Sequence, residues 1–373
     1  EADLTELRAF AAGLGIADLQ PWDTSYVAEK LKQQKHQLSQ QILRAYFPAP
    51  KVINGLFAIV EKLYGISIVS ADAEVWADGV TYYHIRQDDE LIASFYLDPY
   101  ARANKRGGAW MSNCRSRRVL ADGSRQLPIA FLTCNFAPPV GDQPALLTHD
   151  EVVTLFHEFG HGLHHMLTEI DISAVGGIHG VAWDAVELPS QFMEFWTWER
   201  EALGLISAHH EQGDPLPDAL LNALLAARHF QSGLMALRQI EFALFDLRMH
   251  ACNPAPDLAG IQALIDQVRR DVALIQPPAY QRFQHSFSHI FAGGYAAGYY
   301  SYKWAELLAS DAFDRFEQEG IFNADTGAAF RREILAVGGS RPAQDSFAAF
   351  RGRAPRIAAL LRHSGWTATP PVS

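Results

Sequence analysis

Apolar residues recur every three or four positions from about residue 4 to residue 63, as at Tyr26, Leu31, Leu38, Ile42 and Tyr46, with Pro48 and Pro50 ending that run. This period predicts helices that bury one face. From 66 to about 136 the pattern shortens into β-branched and aromatic runs separated by turn residues: Ile66-Ser67-Ile68-Val69, Thr81-Tyr82-Tyr83, 91–97, Ala109-Trp110-Met111 and 129–135. Such runs predict a small, mainly antiparallel sheet. After Pro138-Pro139 and Gly141 the helical period returns and continues to the end. It is punctuated at Gly176-Gly177, Pro215-Leu216-Pro217, Pro254-Ala255-Pro256, Pro277-Pro278, Gly338-Gly339 and Pro342, residues that break or turn a helix. The expected fold class is α+β and predominantly helical: an N-terminal helical segment (1–64), a small β-sheet region (65–140) and a large helical bundle (141–373).

Composition narrows the classes of function. With 49% hydrophobic and 20% charged residues over 373 positions, the chain has the make-up of a folded globular protein with a sizeable core. Its formal net charge of −11 disfavours a nucleic-acid partner, which would draw on clustered Lys and Arg. The basic cluster Arg115-Ser116-Arg117-Arg118 is flanked by the turn-like Ala121-Asp122-Gly123-Ser124 and reads as the end of a hairpin. Three cysteines, Cys114, Cys134 and Cys252, have no paired spacing, which points to a reducing cytoplasm. No apolar run is long enough to predict a membrane span, so no membrane partner is expected. The chain starts at Glu1 without a Met, which suggests an origin in something longer.

One segment carries chemistry. Thr148 and Glu151 form a capping-box pattern, and Val152, Phe156, Phe159, Leu163 and Met166 continue as one apolar stripe, so a helix starts and runs through His157-Glu158-Phe159-Gly160-His161. Residues four apart on a helix stand one above the other, so both imidazoles face one point, as a zinc ion requires. Glu158 adjoins the first of them and is placed to take a proton from the attacking water. A catalytic zinc needs a third protein ligand, and Glu187, thirty residues after His157 in Trp183-Asp184-Ala185-Val186-Glu187-Leu188-Pro189, is placed for it. His164 and His165 compete on spacing, but side chains stacked on one rigid helix cannot all converge on one ion.

These residues resemble the thimet oligopeptidase family of zinc metallopeptidases. The likeness rests on His157-Glu158-Phe159-Gly160-His161 followed by Val186-Glu187-Leu188-Pro189-Ser190-Gln191. It extends through Phe95-Tyr96-Leu97-Asp98, the tyrosine segment 293–304 and Phe350-Arg351-Gly352-Arg353. It implies a zincin-like catalytic domain with one zinc ion held by His157, His161 and Glu187, and Glu158 as general base. Asp184 and Glu194 are candidates to orient the imidazoles, or equally are surface acids near a helix start. In this family the chain aligns with the C-terminal half of proteins roughly twice its length, so an N-terminal half is expected to be missing.

In His289-Ile290-Phe291-Ala292-Gly293-Gly294-Tyr295, followed by Tyr299 and Tyr302, the phenols are spaced to share one helical face. The pattern alone favours an aromatic stripe in the core. The resemblance implies instead that His289 and Tyr302 donate hydrogen bonds to the oxyanion, and that Tyr295 and Tyr299 bind substrate. Gly107-Gly108-Ala109-Trp110-Met111 reads either as a sheet edge that pairs with an extended peptide through Gly108 and Ala109, or as an interior strand. The expected function is endopeptidase hydrolysis of short or unfolded peptides by a cytoplasmic monomer. A dipeptidyl carboxypeptidase of the same family and a non-catalytic metal- or peptide-binding protein are the alternatives.

Overall fold

In the computed structural model of the chain, which describes residues 1–367, strands and helices change over where the apolar period does. The chain divides into two units. One comprises Ser39–Leu221 and Ala305–Leu360; the other comprises Glu1–Leu38, Asn222–Trp304 and residues 361–367.

The first unit holds the sheet. Its strands are β1 (Ser67–Ala71), β2 (Thr81–Gln87), β3 (Glu90–Tyr100), β4 (Trp110–Arg115), β5 (Arg118–Val119), β6 (Arg125–Gln126) and β7 (Ile129–Phe136). Five of them form a mixed sheet in the order β1-β2-β3-β7-β4. The β3–β7 pair is parallel and the other three pairs are antiparallel. β2 and β3 are joined through Asp88 and Asp89, both at positive φ (48° and 63°), the conformation that a two-residue hairpin turn needs.

Period-two burial fixes which face of the sheet is inside. Ala93, Phe95 and Leu97 on β3 and Ala130, Leu132, Cys134 and Phe136 on β7 are all buried. The His149–Met166 helix packs on that face, with the Phe159 ring edge-on to Phe95 at 5.4 Å and 5.8 Å from Phe57 of the Ala49–Tyr64 helix. Gly162 lets the helix approach: a Cβ there would lie 3.0 Å from Leu132. The opposite face carries Tyr82, Tyr96 and Phe131 in successive ring contacts, with Trp76 over them.

Pro48 and Pro50 open the Ala49–Tyr64 helix rather than close the one before it. A proline in the first turn removes only a donor that has no intrahelical partner. The predicted N-terminal stripe is also interrupted. Leu31 and Leu38 are buried, but Tyr26 (57%) and Ile42 (56%) are largely exposed, because the region is broken into the separate helices Ala2–Gly13, Thr24–His36 and Gln40–Leu43.

Two of the segments that carried the resemblance build buried ion pairs. Asp98 accepts from Arg102, Lys105 and the Trp76 indole. Burial works against its charge, and these partners outweigh burial to lower its pKa. Arg351 and Arg353 both reach Asp311, and Gly352 at φ 70° turns the chain so that they can. The basic cluster ends in the small β5–β6 hairpin, where Arg117 and Arg125 meet Asp171.

In the second unit, one core gathers Phe245, Met249, Ile265, Val268, Phe287, Ile290 and Tyr299. Another gathers Leu7, Ala11, Val27 and Leu31. Among the described residues no helix is long and apolar enough to cross a membrane.

The Thr148 hydroxyl accepts from the Glu151 N–H, and the Glu151 carboxylate accepts from the Thr148 N–H. Thr148→Ala removes half of this box and is expected to cost about 1 kcal/mol, read as a lower urea midpoint with an unchanged slope.

Candidate metal centre

The His149–Met166 helix is unbroken through the stretch that carries both histidines, and their rings lie 5.0 Å apart and nearly perpendicular. Glu187 arrives at the junction of two short helices, Trp183–Val186 and Leu188–Glu194. Pro189 in the first turn of the second fixes where that helix starts. Glu187 Oε2 sits 3.3 Å from His157 Nε2 and 3.0 Å from His161 Nε2. One ligand atom from each of the three residues lies within 4.8 Å of the others.

The close crossing of the helices depends on Gly160. A Cβ at this position would run into the Pro189 carbonyl and come within 2.6 Å of Ser190 Cα. Glycine between the two histidines therefore lets the Leu188–Glu194 helix lie against the first one and carry Glu187 to the imidazoles. Ser190 Oγ lies 2.9 Å from Glu187 Oε2, where its hydroxyl donates and fixes the rotamer.

On the far side of the first ring, His157 Nδ1 meets Glu194 Oε1 at 2.6 Å. The proton on Nδ1 then leaves the Nε2 lone pair facing Glu187. Glu194 thus orients an imidazole, one of the two readings open in the sequence. Asp184 makes no hydrogen bond to either ring, and His161 Nδ1 is buried without a partner.

The donor set fits a cation. Neutral imidazole nitrogens and a carboxylate oxygen are all electron-pair donors, and three of them converging at these distances need either protons or a cation between them. Without an ion, protons on the rings take that place. Burial opposes charge on both His157 and Glu187, yet the Glu187 and Glu194 carboxylates hold the His157 pKa well above the ordinary imidazole value. His161 and His157 likewise hold Glu187 well below the usual carboxylate range. Two imidazoles and a carboxylate, with one ring backed by a second carboxylate, are ligands of the kind zinc takes.

Glu158 is 6% exposed, and its Oε2 is buried without a hydrogen-bond partner. Burial raises its pKa, while His157, His161 and the Met111 backbone N–H act in the other direction. Met111 belongs to β4, which among the described residues pairs only with β7 and so forms a margin of the sheet. Gly108 and Ala109 lie just before this strand; Gly108 is exposed, at φ 96°, and its carbonyl accepts from Asn135. His164 and His165 are buried and stand outside the cluster. Burial pushes His164 down to about 3, and His165 bonds the Arg115 carbonyl.

The His289 and tyrosine cluster belongs to the second unit. The rings of Tyr295, Tyr299 and Tyr302 lie 6.3, 5.7 and 6.1 Å from the His289 ring. They do not share a helical face. Tyr295 and Tyr299 lie in a turn, and only Tyr302 is on the Ser301–Glu319 helix. Tyr299 is packed in the core, and its hydroxyl donates to Gln239 at 2.9 Å. Its burial there matches the packing that the residue pattern alone favoured.

The chain belongs to peptidase family M3, a family of metallopeptidases, whose family model matches residues 1–366. It is 55% identical over 368 residues to oligopeptidase A of Escherichia coli K12, covering 98% of this chain and 54% of that protein. It is 46% identical over 377 residues to the organellar oligopeptidase A of Arabidopsis thaliana, covering 97% and 48%. The chain therefore spans about half the length of the curated relatives it matches. The fold is also similar to that of the M32 carboxypeptidase of Deinococcus radiodurans R1, with a TM-score of 0.54 at 13% identity over 97% of this chain and 64% of that one.

Replacing Gly160 with Ala should force the two helices apart, at about 1–3 kcal/mol or more. The expected result is a lower thermal midpoint together with loss of zinc retention on dialysis; an unchanged midpoint would show that the helices do not cross as described.

Proposed function

We propose that this chain is the catalytic part of a zinc-dependent endopeptidase that hydrolyses internal bonds of short or unfolded oligopeptides. The observation that carries the reading is the convergence of His157, His161 and Glu187 on one point, with Glu158 beside it and unsatisfied at Oε2. His157, His161 and Glu187 would hold one zinc ion, with Glu194 and Ser190 keeping two of them in place. When bound there, zinc lowers the pKa of water and polarises a carbonyl.

Glu158 takes the proton of the attacking water and delivers it to the leaving amine. Its burial suits this double duty, since a raised pKa makes the carboxylate a stronger base toward the proton of water and brings it closer to the pH at which it can both take and return a proton. The margin of the sheet at β4, entered through Gly108 and Ala109, supports pairing with an extended peptide backbone. Recognition through main-chain hydrogen bonds tolerates many side chains, which suits an enzyme of mixed oligopeptides. His289 and Tyr302 are proposed as donors to the oxyanion and Tyr295 as a substrate contact. These roles are supported by the resemblance and by the shared ring cluster, in which Tyr299 serves as packing. Free thiols at Cys114, Cys134 and Cys252 support a reducing, cytoplasmic setting, and we propose a monomer.

Glu158→Gln should retain one zinc per chain by elemental analysis and lose about 10²- to 10⁴-fold in turnover of an internally quenched peptide. Near wild-type turnover would sink the assignment. Amidating the peptide's C-terminus should leave cleavage intact, whereas a dipeptidyl carboxypeptidase would lose it.

Glu194→Gln should weaken zinc about 10- to 100-fold against a competing chelator while the fold stays intact by circular dichroism. Unchanged affinity would mean that the 2.6 Å contact does not orient His157.

A further inference from the structure

The turn that carries Tyr295 and Tyr299 and leads into Tyr302 is held in part by its own backbone, with the Gly298 N–H donating to the Tyr295 carbonyl and the Ser301 N–H to the Gly298 carbonyl. Gly294 is at φ 86°, and Ala297, which is not a glycine, is at φ 55°. A left-handed alanine is strained by about 1–2 kcal/mol, and the turn is exposed at Ala296 and Ala297. A further constraint, on Ala297 itself, comes from another element.

Asp246, on the Ser232–His250 helix, is fully buried. Its Oδ1 accepts from the Ala297 N–H and its Oδ2 from the Tyr299 N–H, both at 2.9 Å. His250 Nδ1 lies 2.8 Å from Oδ1 and 2.9 Å from the Asp246 carbonyl. One carboxylate therefore clamps alternate amides of the turn, and one of these amides belongs to the strained residue itself. Its neighbours on the helix, Phe245 and Met249, are in the core that also contains Tyr299. The clamp thus stands on a packed base, and a buried carboxylate there must be matched by donors.

We propose that Asp246 is a positioning residue: it holds the turn 295–300 in a single conformation and so presets His289, Tyr295 and Tyr302 as one ring cluster. Its consequence for turnover rests on the reading of His289 and Tyr302 as donors at the reacting centre. Without the clamp, Ala297 relaxes to negative φ and the phenols lose their common arrangement. Small misplacements of such donors weaken transition-state stabilisation more than ground-state binding.

Hydrogen exchange read by mass spectrometry over 295–300, together with steady-state kinetics on a quenched peptide, tests this. In Asp246→Asn the segment should exchange faster, and kcat should fall about 10- to 100-fold with a smaller change in KM. Adding Ala297→Gly, which makes positive φ free of strain, should restore several-fold of the lost kcat. That rescue is not expected if Asp246 contributed only to global stability. Unchanged exchange at the segment, or no rescue, overturns the proposal.

Should Asp246→Asn unfold the unit, Ala297→Val tests the same point without touching the carboxylate. A β-branched residue rejects positive φ, so both the local exchange and the kcat effect should reappear; if neither does, the proposal is wrong. A wild-type chain with no metal-dependent turnover would defeat the peptidase reading instead, and the exchange result would still decide whether Asp246 holds the turn.

Discussion

A carboxylate that is 2% exposed, held between two imidazoles, is the constraint on which the first unit is organised. Removing such a group from water costs several kcal/mol unless positive charge and hydrogen bonds replace the solvent. Glu187 obtains them from His157, His161 and Ser190, and it can do so only because one helix crosses another at a glycine. The packing of the Leu188–Glu194 helix, the position of Pro189 and the contact from Glu194 all serve that geometry. The sheet supplies the floor: Phe95 and Leu132, with Phe57 of the Ala49–Tyr64 helix beside them, support the histidine-bearing helix, and β4 brings a backbone N–H to Glu158.

Buried carboxylates serve as anchors elsewhere too. Asp98 gathers Arg102, Lys105 and Trp76; Asp311 gathers Arg351 and Arg353; Glu241 pairs with Arg269; Asp246 clamps two backbone amides. In an acidic chain these acids are not interchangeable with those at the surface. Each is held by several donors at once, which fixes its direction as well as its charge. For Asp98 and Asp311 the partners outweigh burial and keep the pKa low, so these charges are built into the fold. Glu158 is the exception in the first unit. Burial wins there and one oxygen is left unmatched, an imbalance that fits the proton-transferring role proposed for it.

Local signals were legible where one element decides the outcome. The Thr148–Glu151 cap, the apolar stripe behind it and the i, i+4 histidines could be read from sequence because a helix converts spacing directly into direction. The strands were legible because period-two burial against a single helix leaves its mark on β3 and β7. The prolines at 48 and 50 were misread because a proline closes one helix and opens the next with the same chemistry. The tyrosines were misplaced on a helical face because i, i+4, i+7 spacing also fits a turn whose shape comes from outside it. Asp246 gave no signal, since nothing adjacent to it in sequence is what it binds.

The sequence by itself determined the helix and the pair of imidazoles on it, since each depends on neighbours within a turn or two of the chain. Only the tertiary structure decided that Glu194, rather than Asp184, backs the first ring, that Tyr299 lies in a core, and that β4 is a sheet margin. Those outcomes depend on how elements far apart in sequence cross, and the crossing is fixed by packing and by the matching of buried charge, neither of which leaves a period in the sequence.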